Sequence, residues 1–165
     1  MAMSEGAKKG AILFYSKARC FMCHSGINFS DEKFHNVAFP QVGPGKEQSG
    51  DDKGLYLETK LQEDLYKFKT PGLRNVALSA PYGHSGSMKT IRKVLEHYNF
   101  PMRSNHHYDG GFRGLPYELL VERSNMNARL RVIDPQIGRI GIPLSAQDID
   151  DLVIFLKEGL TQKEF

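Results

Sequence analysis

The most constraining feature of this chain is the stretch "ARCFMCHSG", residues 18 to 26. Both cysteines of the sequence lie in it, three apart, with a histidine directly behind the second. Two thiols admit a disulfide, part of a metal site, a redox pair or covalent attachment of a cofactor. A structural zinc site needs four ligands, normally with a second Cys or His pair at matching spacing. His35, His84, His97, His106 and His107 offer no such pattern apart from the adjacent last two. A thioredoxin-like redox motif follows a strand in a βαβ unit, and these flanks do not read that way. The spacing Cys20-x-x-Cys23-His24 is instead the signature of c-type haem attachment. On a short helical turn, residues three and four apart share a face. Cys20 and Cys23 can therefore form thioethers to the two vinyl edges of one porphyrin, with His24 as the proximal ligand of its iron.

The bulk numbers are those of one ordinary globular domain. A chain of 165 residues can bury roughly 70% of its unfolded surface in one domain. Its 22 basic and 19 acidic residues leave a net charge of +3, spread along the chain rather than massed. Nucleic-acid binding, which calls for a clustered basic face, is not expected. No apolar run approaches the roughly 18 residues of a membrane span. Met1 to Gly10 is polar and has no signal-peptide core. The expectation is that a targeting segment has been removed, or that the chain is a piece of a longer precursor.

Helical signals are clear at three places. Ser4 can N-cap a helix that carries Ala7, Ala11 and Phe14 at helical spacing and leads into the cysteine turn. Thr90 can N-cap "IRKVLEHYN", in which Ile91, Val94, Leu95 and Tyr98 make one stripe. That places Tyr98 inward and His97 to one side, toward Lys93 and solvent. Ser145 and Asp148 form a capping-box pair ahead of a C-terminal helix. Its inner stripe is Ile149, Leu152, Val153 and Leu156, with Gly159 at the expected C-cap. Between these, residues 25 to 57 read as a long irregular loop, 58 to 67 as a short helix, and 68 to 86 as turns around one short piece. A loop-rich, insertion-like stretch covers about 101 to 143, with a helix near 117 to 124. Strand signals are poor. The expected fold is mostly α, one domain over 1–165 with long irregular loops.

With the haem motif, "FHN" at 34 to 36, "FKTPGLRNVALSAPYGHSGSMKTIRKVLEHY" and "LSAQDIDDLVIFLKEGL" in this order, the chain resembles a known family. It is similar to the C-terminal haem domain of the bacterial di-haem cytochrome c peroxidases and their MauG-type relatives. Departures are Gly72 and Gly83, where bulkier residues are commoner in the family, and residues 101 to 130, which have no placed counterpart. The resemblance implies a cytochrome c-like fold and an electron-transfer role. In that family an N-terminal haem reacts with peroxide and the C-terminal haem passes electrons to it. With one attachment motif here, the resemblance implies one covalent haem c in this chain. The second haem then lies in another domain or on a partner chain, with a small redox protein as electron donor. Little peroxidase activity is expected of this chain by itself. A labile distal position would instead make it an enzyme in its own right. A stand-alone monohaem carrier, or a subunit of a larger redox complex, is the alternative. Covalent attachment of this kind takes place outside the cytoplasm, so a periplasmic or otherwise extracytoplasmic location is expected.

The resemblance also implies site residues. The family takes its distal iron ligand, a methionine or a tyrosine, fourteen residues beyond the histidine of "APYxHxG". Counting from His84 gives Tyr98, with Met88, Met102 and His97 as rivals. A thioether would raise the haem potential and a phenolate would lower it. Arg74 of "LRN" is the candidate to pair a haem propionate in a two-pronged manner. His84 belongs by resemblance to the haem or interdomain environment. Ca²⁺ at a domain interface, held by the carbonyls of Ser79 and Pro81 and by an asparagine of the other domain, is a further carry-over. His106 and His107 read as a solvated loop.

Overall fold

A computed structural model describes residues 2–42, 51–108 and 125–162. The chain divides into two compact units: Met1–Lys33, Thr70–Ala80 and Pro143–Phe165 form the first, and Phe34–Lys69 and Pro81–Ile142 the second. Helices are the main regular elements of both, beside a single small sheet among the described residues. The mostly α reading therefore stands. No helix among the described residues is long and apolar enough to cross a membrane.

The first unit is built on two helices, α1 (Glu5–Tyr15) and α6 (Ala146–Glu158). Ser4 caps α1, its Oγ accepting from the Ala7 amide at 3.2 Å, so one of the orphan amides at the helix start is satisfied. The Ser145–Asp148 capping box forms as expected: Ser145 Oγ accepts from the Asp148 amide at 3.1 Å, and the Asp148 carboxylate accepts from the Ser145 amide at 2.8 Å. Ala7, Phe14, Leu152 and Phe155 are buried where the helices meet, with the Phe14 and Phe155 rings edge to face at 5.5 Å. Gly10 makes this approach possible. A Cβ there would run into the Asp151 carbonyl oxygen and lie 2.6 Å from Phe155 Cβ. Ser4 donates to Glu158 at 2.7 Å and Lys17 to Asp148 at 2.6 Å, tying opposite ends of the antiparallel pair. Ala11 and Val153 of the expected stripes are half-buried, and Phe155 takes an inner place instead. A 3₁₀ turn, Val76–Leu78, lies at the end of α6, where the Asn75 amide donates to Leu160 and Asn75 Oδ1 accepts from Gln162.

The second unit has shorter elements. Strands β1 (Phe34–His35) and β2 (Phe68–Lys69) pair antiparallel, Phe34 opposite Lys69. Helix α2 (Tyr56–Thr59) and a 3₁₀ turn at Gln62–Asp64 replace the continuous helix expected over 58 to 67. Lys60 between them sits at φ +58°, a left-handed residue that ends α2. Helix α3 (Ile91–Asn99) is capped by Thr90 as expected. The 101–143 stretch carries two helices that the sequence does not announce, α4 (Pro101–His106) and α5 (Met126–Arg131). The helix expected near 117 to 124 lies outside the described residues, as do residues 43 to 50 of the long loop. Ala38, Leu130, Ile133 and Ile137 form a small core, with Val37, Tyr98 and Met126 packed on it.

One expectation is overturned here. His97 does not face solvent beside Lys93; its side chain is fully buried. Nε2–H donates to the Val37 carbonyl at 2.7 Å, and Nδ1 pairs with Ser104 Oγ on α4 at 3.0 Å. The reason is α4 itself. With α4 folded back on α3, the flank that looks outward in an isolated helix becomes an interior face. Tyr98 is half-buried rather than fully inside.

Candidate functional site

The cysteine motif occupies one tight turn of the first unit. Arg19 at φ +54° reverses the chain out of α1, and Cys20–Met22 then form a 3₁₀ turn whose Cys20 carbonyl accepts from the Cys23 amide at 3.3 Å and from the His24 amide at 2.8 Å. Both cysteines are therefore presented from a single turn, as the spacing requires, and neither is in a disulfide. The loop that follows folds back on the motif. Gly26 at φ +70° permits the reversal. The Ser30 amide reaches the Ser25 carbonyl and the Asp31 amide the Cys23 carbonyl, each at 2.7 Å.

This loop fixes the histidine. His24 Nδ1 lies 3.0 Å from the Phe29 carbonyl oxygen. A carbonyl can only accept, so Nδ1 carries the proton and Nε2 holds the lone pair that a metal needs. A metal-ligating imidazole normally donates its second N–H to such an outer partner, which sets both tautomer and ring orientation. Burial pushes the Cys20 thiol up to about 12, and neighbouring Cys23 adds to the rise. A thiol kept neutral is a poor redox nucleophile or thiolate ligand, whereas a thioether is neutral from the outset. The donor set thus fits covalent haem attachment: two unlinked sulfurs on one turn, and an imidazole with its lone pair assigned to Nε2.

Arg74 meets the same loop. Its Nε donates to the Ile27 carbonyl at 2.6 Å, and its guanidinium lies 5.6 Å from the Phe29 ring centroid while the residue stays exposed. The neighbouring Leu73 amide donates to Asn28, and a Cβ on Gly72 would lie 3.0 Å from the Asn28 carbonyl oxygen. The "TPGLRN" block is therefore laid along residues 27 to 29, and its close approach gives a local reason for glycine at 72. Cys20, Cys23, His24 and Arg74 all belong to the first unit.

Tyr98, Met88, Met102, His97 and His84 belong to the second. Tyr98 packs edge-on against Phe39, centroids 5.8 Å apart, beside the Ala38–Leu130 core. Met88 is buried at 3% exposure in a bridge with Tyr82, whereas Met102 is exposed. His97 has both ring nitrogens engaged inside the unit. His84 donates from Nε2 to Asp52 Oδ2 at 2.8 Å and stacks on Phe68 at 3.7 Å between centroids. His106 and His107 are exposed, His106 as the last residue of α4 rather than in a loop. Phe29 acts through its backbone carbonyl, which no side-chain pattern announces. In the second unit, His35 of "FHN" pairs with Asp134 at 2.7 Å, 99 residues away, a pairing that no local window reveals.

No family model matches the chain. It is 34% identical to cytochrome-c peroxidase IdrP1 of Denitromonas iodatirespirans, over 59% of this chain and 32% of that protein. It is 34% identical to the methylamine utilization protein MauG of Methylophilus methylotrophus, over 59% of this chain and 28% of that protein. The match to cytochrome c551 peroxidase of Pseudomonas aeruginosa is 37% identical, over 57% and 27%. Among solved structures, a MauG-like protein associated with microbial copper homeostasis superposes with a TM-score of 0.69 at 27% identity, covering 99% of this chain and 45% of that one. The diheme peroxidase BthA from Burkholderia thailandensis shares the fold at 20% identity, with a TM-score of 0.67 over 97% of this chain and 43% of that one. The chain matches about a third or less of the curated relatives and under half of the solved neighbours. By sequence and by fold, the homologues of this chain are the di-haem cytochrome c peroxidases and MauG proteins, the family its motifs resemble.

Proposed function

We propose that the chain is the electron-transfer haem c domain or subunit of a cytochrome c peroxidase- or MauG-like oxidoreductase, relaying electrons to a peroxide-reacting haem that lies outside it. The observation that carries this reading is the cysteine turn with its oriented imidazole, His24 Nδ1 to the Phe29 carbonyl at 3.0 Å. Cys20 and Cys23 hold the porphyrin as thioethers, and His24 Nε2 is the proximal ligand. Bound there, the haem supplies one-electron exchange at its iron. The chain's own part is to keep the ring of His24 in one tautomer and orientation and to brace the following loop through Arg74. Arg74 is the residue assigned to a propionate, and Tyr98 the residue assigned to the distal face. Ca²⁺ at the Ser79 and Pro81 carbonyls, a periplasmic location and a small redox protein as donor extend the same reading.

The test is expression in a host with a haem-attachment apparatus. The denatured chain is expected to outweigh its amino acids by one haem, and the double variant Cys20→Ser, Cys23→Ser to lose that increment. A pigment-free chain of unchanged mass overturns the proposal. Ferric absorption spectra of Tyr98→Phe address the distal ligand: a shifted spectrum supports tyrosine and an unchanged one excludes it. Peroxide titration of the isolated haem-loaded chain addresses the division of labour. Little turnover is expected, and peroxidase rates like those of the whole di-haem enzymes would overturn the relay role.

A further inference from the structure

At the elbow between α3 and α4 the second unit gathers apolar side chains in the open. Phe100 ends one helix and begins the other, and both it and Met102 are exposed. The chain returns to this elbow at residues 138 to 142. The Ile142 amide donates to the Tyr98 carbonyl at 2.9 Å, and a Cβ on Gly141 would run into the Asn99 carbonyl. Gly138 and Gly141, at φ +68° and +89°, turn the backbone into a knuckle on which Ile140 is 83% exposed. Arg139 ties the knuckle to the end of α5, its Nε donating to the Leu130 carbonyl at 3.0 Å. Val132, just beyond α5, is exposed as well, and α5 packs on α4. Single exposed apolar residues are ordinary on any protein, but a gathered set marks a surface with a use.

The charges around these residues have one sign. Three of the four apolar residues adjoin an exposed arginine in the chain: Met102 and Arg103, Arg131 and Val132, Arg139 and Ile140. Among the described residues of 96–108 and 125–142 the only carboxylates are Glu96 and Asp134. Glu96 is engaged with Lys93 and Asp134 with His35, each at 2.7 Å. We propose that this end of the second unit is a membrane-surface site, seated on an anionic phospholipid bilayer with Ile140 and Phe100 in the interface. A protein docking face clears charge from its centre and keeps it at the rim. Here cation and apolar side chain alternate across the whole surface. That pattern suits the boundary of headgroups and acyl chains, where an apolar tip sinks while its neighbouring guanidinium stays with the phosphates. The proposal stands on the second unit alone and is independent of the haem reading.

The test floats the full chain with vesicles of phosphatidylglycerol mixed with phosphatidylcholine, against phosphatidylcholine alone. Partition onto the anionic vesicles is expected at low ionic strength, falling as salt is added, with little onto the neutral ones. Arg131→Glu should weaken that partition about tenfold or more, and Ile140→Glu by a similar factor. Ile140→Trp should instead tighten it about fivefold, because tryptophan favours the interface. Ile140 is so exposed that neither change should disturb the fold, which helical circular dichroism would check. Lys8→Glu brings the same change in net charge as Arg131→Glu, in the first unit, and should leave partition within about twofold. Equal weakening by Lys8→Glu and Arg131→Glu would mean that net charge acts alone, and would overturn the site. So would an Ile140→Trp variant that binds no better than the parent. A chain that ignores the anionic vesicles but sediments as a dimer, broken by Ile140→Glu, would overturn it in favour of a second copy.

Discussion

The two units hold themselves together by different means. In the first, two amphipathic helices are capped at their starts by Ser4 and Ser145 and meet through small and aromatic side chains, so most of its order is periodic. In the second, irregular backbone runs past buried polar side chains that bind it in place. Asn36 donates to the Arg129 and Val132 carbonyls and accepts from the Ala38 amide. Asn105 donates to the Ala38 and Pro101 carbonyls. Gln41 and Asp52 exchange reciprocal hydrogen bonds through the Gln41 amide group and the Asp52 backbone. Buried backbone must find partners. Where no helix or sheet supplies them, side chains have to.

The sharpest way to break this contrast is at Gly10. Gly10→Ala is expected to destabilise by about 3 kcal/mol or more, because neither the Asp151 backbone nor Phe155 Cβ can yield cheaply. Urea unfolding would measure it, and a near-neutral result would show that the first unit does not depend on close helix contact. His97 is the counterpart in the second unit. Burial lowers it from 6.5 to about 4, against the opposing effect of the Val37 hydrogen bond. Between those values the unfolded chain binds the proton and the folded chain does not. Stability therefore falls as pH drops from 6.5 toward 4, by about 3 kcal/mol in total. His97→Gln should flatten that part of the pH profile, and a profile unchanged by the variant would discard the idea.

Asn36→Ala removes the donor to the Arg129 and Val132 carbonyls and the acceptor of the Ala38 amide, at a cost of about 2 kcal/mol that denaturant midpoints would report. Ser145→Ala removes one half of a capping box in the first unit and should cost about 1 kcal/mol. Lys17→Met comes last. Its hydrogen bond is the main reason the Asp148 carboxyl sits below its ordinary range. That stabilisation is present above the unfolded value and is lost as pH falls through the folded one. With Lys17 half-exposed, the loss should be about 0.5 kcal/mol or less. If Asn36→Ala proved milder than Ser145→Ala, the contrast between the units would be wrong.

The same contrast explains what could be read from the sequence. Helices α1, α3 and α6 were legible because each joins a Ser or Thr cap to an apolar stripe, and the cysteine turn because its chemistry is local. Helices α4 and α5 were not. Pro101 is tolerated at a helix start, yet "MRSNHH" has no apolar rhythm, and neither helix has a side-chain N-cap bond. The misplacement of His97 follows directly, since its burial depends on Ser104 and Val37 rather than on α3. Asn36 was visible as part of "FHN", but its partners lie more than 90 residues away. In the candidate site, the spacing of Cys20, Cys23 and His24 is what singles them out, and the structure puts all three on one turn. The role of Phe29 was not, because a backbone oxygen leaves no trace in residue identity.

That oxygen has a consequence for stiffness. An imidazole anchored at Nδ1 by the main chain is held to one orientation, so a metal bound at Nε2 would meet a preset ligand. Were the proposed haem held there, such a ring would have little rearranging to do when the charge beside it changed by one. Five residues of loop, folded back from His24 to Phe29, build that stiffness into the backbone.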